Sequence, residues 1–190
     1  MDNNRRTVYH TLMDVETKGA YSNIAINHQI ILHKPNNVPF VRELAYGVLE
    51  NKMLLDYVID ALIPRDVEKL KTSDLTILRM GIYQLAFMDS GPEYAAVNES
   101  VVLAKRYCRG REAFINGVLR SYTRERFTLN LPDRSEDEVK YLSVKYSYAP
   151  WIVELWLDQY SVDFVEELLE AGNETPEVAI RVNWLKAMKK

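Results

Sequence analysis

Between Lys105 and Arg126 the sequence carries Lys105, Arg106, Arg109, Arg111, Arg120, Arg124 and Arg126 against only Glu112 and Glu125. So biased a run suits neutralisation of phosphates, an interaction driven by the release of condensed counterions. Residues four apart share a helix face, so Lys105 with Arg109, and Arg120 with Arg124, are expected to form pairs that meet successive phosphates. Arg109 beside Gly110 has an internal alternative, that of a cation complementing the negative end of its helix. A second signal is Arg5-Arg6 at the start of the first expected helix. The positive end of the macrodipole disfavours cations there, so an external anion is one reason for them and a solvated terminus the other. Tyr9, His10 and Tyr122 have the chemistry to stack on unpaired bases, although aromatic residues at helical spacing are more often core. Asn98 and Asn116 are expected to hydrogen-bond between helices.

Other chemistry is thinly represented. The single Cys108 excludes an internal disulfide, and His10, His28 and His33 lack metal-ligand spacing with cysteine or acidic partners, so no metal is expected. No Gly-rich strand-to-helix turn is present to cradle a phosphate or adenosine group, and no catalytic residue is assigned. No apolar run approaches the roughly 18 residues of a membrane span, and no apolar core follows Met1-Asp2-Asn3-Asn4-Arg5-Arg6 to make a signal peptide. A cytoplasmic protein without a membrane partner is expected. The net charge of -3 conceals a step: residues 1–130 hold 17 Lys+Arg against 15 Asp+Glu, and residues 131–190 hold 7 against 12. Two regions with different partners are implied.

The elements that must carry the basic residues are helices. Gly19, Gly110 and Gly172 each follow an amphipathic run and are expected to end it. Pro35, Pro39, Pro64, Pro92, Pro132 and Pro150 fall between runs or at helix starts. Leu44, Val48, Leu55, Val58 and Leu62 follow Pro39 at helical spacing. Leu75, Leu78, Ile82 and Leu85 form a face behind a Thr72/Ser73 cap, followed by Val97, Val101, Ala104 and Cys108, then by Ile115, Val118, Leu119 and Tyr122. About seven helices are expected before residue 126. Gly47, Gly81 and Gly117 lie inside helical runs, where each costs about 1 kcal/mol relative to alanine; close helix crossing is the expected compensation. Arg79, among Leu78, Met80 and Ile82, is expected to pair with a carboxylate between bundles.

Beyond Pro132 the character changes. Ser135 and Glu138 predict a capping box for a helix through about Tyr146, and two acidic helices follow. Asp158, Asp163, Glu166, Glu167 and Glu170 are expected on a solvated face, and Trp151, Trp156 and Trp184 are expected to be exposed unless something packs on them. Val178, Ile180, Val182 and Trp184 alternate with Ala179, Arg181 and Asn183, the period-2 pattern of a strand. A lone strand lacks hydrogen-bonding partners, so the chain is expected to stop just inside a β-containing unit, the alternative being an extended tail that docks on the helices or pairs with another copy.

Three consecutive stretches resemble the N-terminal RNA-binding domain, of NusB type, of bacterial 16S rRNA cytosine-5 methyltransferases. They are Phe40-Val41-Arg42-Glu43-Leu44-Ala45-Tyr46-Gly47-Val48-Leu49; Ile77-Leu78-Arg79-Met80-Gly81-Ile82-Tyr83-Gln84-Leu85; and Pro92 through Ala95-Ala96-Val97-Asn98-Glu99-Ser100-Val101 and Ala104-Lys105 to Phe114-Ile115-Asn116-Gly117-Val118-Leu119-Arg120. Glu50-Asn51 departs from the arginine that relatives commonly carry after Tyr-Gly-x-Leu. Free-standing transcription antitermination factors share these helices but end about 60 residues earlier.

The resemblance implies an all-α, NusB-like pair of antiparallel three-helix bundles over residues 1–130. Over 131–190 it implies connecting helices and the first strand of a truncated α+β subdomain. It further implies ribosomal RNA as partner, a downstream methyltransferase domain of the same chain that supplies the S-adenosylmethionine site, and room for a ribosomal protein. The RNA-binding candidates are Arg5, Arg6, Lys105, Arg106, Arg109, Arg111, Arg120 and Arg124, with no cofactor or catalytic residue in these 190 residues. The alternative is a stand-alone antitermination factor.

Overall fold

The computed structural model describes residues 2–64, 67–88, 91–126, 130–174, 181 and 183. Among them are ten α-helices: α1 (Asn3–Lys18), α2 (Ser22–His33), α3 (Val38–Glu50), α4 (Lys52–Leu62), α5 (Thr72–Phe87), α6 (Glu93–Tyr107), α7 (Glu112–Glu125), α8 (Glu138–Tyr146), α9 (Pro150–Leu157) and α10 (Val162–Asn173). A 3-10 turn, Val67–Lys69, precedes α5. The all-α class and the seven helices before residue 126 agree with the sequence. The expected strand over 178–184 lies outside the described residues, apart from the exposed Arg181 and Asn183.

Local chemistry sets the helix ends. The Asp2 carboxylate accepts the Asn4 N–H at 3.0 Å to start α1, and Gly19, at φ 63°, ends it. The Asn37 side chain accepts the Phe40 N–H to start α3, with Pro39 in the first turn. The apolar run after Pro39 breaks at Asn51, whose Nδ2 donates to the Gly47 carbonyl at 2.9 Å as α3 gives way to α4. Two expected caps are corrected. Thr72 lies inside α5, which starts after Lys71 without a side-chain cap. At α8 the cap is Asp137, which accepts the Lys140 N–H at 2.8 Å, while Ser135 turns back to donate to Asp133. The carboxylate two residues nearer the helix wins because it reaches the orphan N–H directly.

α1, α2 and α3 form one antiparallel bundle and α5, α6 and α7 the other, with α5 packed on α1, α3, α4, α6 and α7. One hydrophobic core runs through both: Val8, Leu12, Ile26 and Leu44 meet Ile77, Leu78, Leu103, Ile115 and Leu119. Each fully buried side chain of this size contributes about 1.5–3 kcal/mol. α5 is buried on every side from Thr76 to Ile82, as expected of a helix at the centre of a fold. Arg79 sits within it, 5% exposed. Its Nε and Nη2 donate to the two Asp56 oxygens at 2.6 and 2.7 Å, and its Nη1 lies 3.4 Å from Glu16. The inter-bundle pairing expected of Arg79 is therefore what the structure contains.

Gly47 and Gly81 are crossing points: a β-carbon would collide with the Tyr83 ring at the first and with Leu119 at the second. The same expectation fails at Gly117, which is exposed and has nothing within 4 Å of where its β-carbon would lie. Gly172 does not end its helix; it lies inside α10, where the Tyr148 hydroxyl fills the space of a β-carbon.

α8, α9 and α10 enclose a second small core of Leu142, Val153, Val165 and Leu169. They join the bundles where α8 packs on α4, and the Leu54 N–H donates to Ser147 Oγ at 3.2 Å. Glu166 is not on the solvated acidic face: it accepts from Lys145 Nζ (2.7 Å), Arg134 Nη1 (2.8 Å) and Tyr146 Oη (3.1 Å). Trp151 is exposed, whereas Trp156 packs beside Tyr148.

The two interior glycines should respond oppositely to a methyl group. Gly47→Ala is expected to destabilise the fold by about 1–3 kcal/mol through overpacking. Gly117→Ala is expected to stabilise it by up to about 1 kcal/mol through helix propensity. Thermal melts followed by circular dichroism check both, and a loss at Gly117 would contradict the open surface described.

Candidate nucleic-acid interface

The basic segment that is continuous in sequence is divided by the turn between α6 and α7. α6 stops at Tyr107, Cys108 closes it, and Gly110, at φ 81°, reverses the chain. Arg109 sits in that turn, so the shared face expected for Lys105 and Arg109 does not form. Lys105 and Arg106 occupy the exposed last turn of α6, with the Arg106 guanidinium 5.7 Å from the Tyr107 ring centre. Arg120 and Arg124 do share an exposed face of α7. Arg120 Nε donates to Asn116 Oδ1 at 3.1 Å and Arg124 Nη2 to Ser121 Oγ at 3.0 Å, bonds within the same helix that leave both cations at the surface. Asn116 therefore bonds along α7 and not across to a neighbouring helix. Asn98, Tyr94, Glu93, Val97 and Thr123 line a groove with Arg120. This groove lies beside the start of α6, about 14 Å along the helix axis from the level of Arg106.

Two of the candidate arginines are drawn inward. Arg111 Nε donates to Asp74 Oδ2 at 2.9 Å, and Asp74 is only 1% exposed; the guanidinium also lies 4.4 Å from the centre of the Phe114 ring. Arg5 Nε donates to Gln84 Oε1 at 2.8 Å and its Nη1 to Asp2 Oδ2 at 2.9 Å, with Phe40 beneath it. Arg126, also in the basic run, pairs with Glu93 at 2.6 Å.

Arg6 points elsewhere. It lies close enough to His10 and His33 to depress the basicity of both. His10 and His33 lie with ring centres 5.0 Å apart, and His10 Nε2 is 3.0 Å from the Tyr107 hydroxyl. Burial is the first cause holding both imidazoles below the usual histidine range. For His10, His33, Arg6 and Arg106 add to it and Asp14 opposes it; for His33, Arg6 and His28 add to it. The start of α1, the end of α2 and the end of α6 thus converge on a cationic cluster. His10 was visible in the sequence, four residues from Arg6 on the same face; His33 carries no local signal. Tyr9 and Tyr122 are buried, Tyr9 stacked on Tyr107 at 4.3 Å, so neither offers a face to a base.

Cys108 is buried against Asp74, and burial, reinforced by that carboxylate, pushes its thiol up to about 11. Among the described residues no group of three or more His, Cys, Asp or Glu is placed to hold a metal ion. No described helix is long and apolar enough to cross a membrane.

Residues 2–124 match the model of the NusB family. Over 188 residues the chain is 34% identical to a probable ribosomal RNA small subunit methyltransferase B of Bacillus subtilis, a match covering 96% of this chain and 41% of that protein. The Synechocystis counterpart is 31% identical over 189 residues, with 97% and 42% covered. The chain therefore spans about two fifths of the length of these relatives. A transcription antitermination protein NusB of Bacillus velezensis is 31% identical over 117 residues, covering 60% of this chain and 88% of that protein. The fold resembles a solved structure described as antitermination factors NusB and NusE in complex with dsRNA. There the TM-score is 0.59 at 19% identity, covering 64% of this chain and 94% of that one.

The state of Cys108 is directly measurable. Because the thiolate is the reactive species, iodoacetamide at neutral pH should leave Cys108 unmodified in the native protein and modify it fully in denaturant, as read by mass spectrometry. Rapid native alkylation would show that the α6–α7 turn opens.

Proposed function

From the premise that this chain belongs to the NusB family over residues 2–124, we propose that it is the RNA-binding, substrate-targeting part of a ribosomal RNA small-subunit cytosine-C5 methyltransferase. One observation carries this reading. The similarity to the methyltransferase relatives runs over 188 residues, well past the end of the family match, whereas that to the antitermination protein runs over 117. Residues 131–190, with α8, α9 and α10, are then the connection from the RNA-binding domain of residues 1–130 to a downstream methyltransferase domain, in a cytoplasmic enzyme. S-adenosylmethionine belongs to that downstream domain.

The chain's own part is to hold ribosomal RNA. Arg120 and Arg124 on α7, Lys105, Arg106 and Arg109 around the end of α6, and Arg6 on α1 present cations to the backbone. Arg5 and Arg111 position α1 and α7 through Gln84 and Asp74. The second reading, a stand-alone antitermination factor that also contacts a ribosomal protein, is favoured by the match over 88% of the Bacillus velezensis protein. Reading the gene beyond the Lys190 codon decides between them. A methyltransferase domain supports the first, and a stop codon there overturns it.

RNA binding is testable on the chain itself by fluorescence anisotropy with a fragment of small-subunit ribosomal RNA at two salt concentrations. The affinity should fall with salt by about 0.7 logarithmic units per phosphate neutralised for single-stranded RNA. Reversing Arg120 and Arg124 to glutamate should flatten that slope by about 1.4 while leaving the melting temperature nearly unchanged. Arg79→Ala should do the reverse, costing about 3 kcal/mol of stability by leaving Asp56 without its partner and leaving the slope of the folded fraction intact. An unchanged slope in the double reversal would remove α7 from the RNA surface.

A further inference from the structure

We propose that the cluster of Arg6, His10, His33 and Arg106 is a seat for one phosphodiester of the RNA backbone, which takes up that phosphate together with a proton on the histidines. The proposal rests on the reading that this domain binds RNA, and deepens it by naming a site and its regulation.

Two atoms in the cluster lack partners. Arg6 Nε and His33 Nε2 are both inaccessible and hydrogen-bonded to nothing among the described residues. A buried donor without an acceptor is destabilising, and more so when it belongs to a charged guanidinium. Arg6 also makes no ion pair with any described residue, unlike Arg5 beside it, which holds Asp2. The feature missing around these atoms is an acceptor with negative charge.

The surroundings specify the kind of anion. Facing His10 are Arg6 and Asp14 from α1, His33 from α2, and Arg106 and Tyr107 from α6; facing His33 are Arg6 and His10 from α1, and His28 from its own helix. Asp14 is already occupied, accepting from Lys18 Nζ and Gln29 Nε2 at 2.6 Å each. With its one carboxylate engaged, the cluster disfavours a second and third positive charge. Burial and mutual repulsion therefore keep the imidazoles neutral in the free protein. A phosphodiester, charged but without a proton of its own to give near neutral pH, reverses that balance. Arg6 and His33 are both partly exposed, so the phosphate meets the Arg6 guanidinium and a protonated His33 at that edge, and it relieves the repulsion that His10 and Arg106 impose. The ends of α2 and α6, at His33 and Tyr107, add negative dipole ends that favour imidazolium once the anion is present. A proton taken up on binding makes the affinity rise as pH falls, by at most tenfold per pH unit for each proton.

Nuclear magnetic resonance of the three imidazoles, titrated with and without a saturating single-stranded oligoribonucleotide, tests this on the chain as it stands. The RNA is expected to raise the titration midpoints of His33 and His10 by about one pH unit or more. In anisotropy, affinity should tighten several-fold from about pH 8 to about pH 6. His33→Gln should flatten that dependence, because it removes one of the two imidazoles that take up the proton. Binding at pH 8 with unmoved histidine midpoints overturns the proposal and leaves the RNA-binding reading standing. No binding at any pH overturns both. Inorganic phosphate shifting the midpoints as far as the RNA does would assign the seat to a free anion, which also overturns the proposal.

Discussion

The arrangement of both bundles depends on a charged residue being affordable at the centre of α5. A helix buried on every side has no solvent face on which to place polarity, yet Arg79 lies among Leu78, Met80 and Ile82 with its guanidinium almost wholly enclosed. Desolvating it is tolerable only because Asp56 from α4 accepts two of its hydrogen bonds and Glu16 from α1 lies beside the third nitrogen. Hydrophobic burial is non-directional and would accept α1 and α4 at several rotations about α5. The bidentate geometry accepts one. Lys52, paired with Glu16 at 2.8 Å, extends the same network to the start of α4.

With α5 fixed, the geometry of the basic surface follows. Gly81 lets Leu119 of α7 approach α5, and Asp74 at the start of α5 holds Arg111 at the start of α7. These two attachments orient α7 so that Ile115, Leu119 and Tyr122 face the core and Arg120 and Arg124 face outward. Arginines that look equivalent in the sequence thus separate by partner. Where a buried acceptor is within reach, as for Arg5 and Arg111, the guanidinium is structural. Where none is found among the described residues, as for Arg6 and Arg120, the charge stays uncompensated within the fold, and Arg124 has only the exposed Glu125 at 3.8 Å.

The acidic three-helix unit after residue 130 obeys a different economy. Among the described residues its fully buried core is Leu142, Val153, Val165 and Leu169, with partly buried side chains such as Tyr141, Tyr148 and Trp156 packed around it, a small core for three helices. Help comes from polar clamps, with Glu166 gathering Arg134, Lys145 and Tyr146, and from the packing of α8 on α4. Trp151, Leu155, Tyr160 and Phe164 remain exposed on α9, α10 and the turn between them.

The sequence by itself determined the helical class, the number of helices before residue 126 and the inward-facing stripes of α3 to α7. These follow from periodicity and from punctuation by glycine and proline, which act within a few residues of one another. It also marked Arg79 as internal, because a cation amid an apolar run has no solvent to reach. Caps were less legible: Asp137 and Ser135 both had the chemistry, and only the local path of the chain selected one. Gly47, Gly81 and Gly117 looked alike, and only the crossing partners, Tyr83 and Leu119, separated two of them from the third. The site was the least legible part. Which arginines are free depends on Asp74 and Gln84, which lie 37 and 79 residues away from the arginines they hold, and His33 meets His10 only because α2 folds back on α1. Electrostatic partners act through space at distances that chain separation does not encode, so their assignment was left to the tertiary structure.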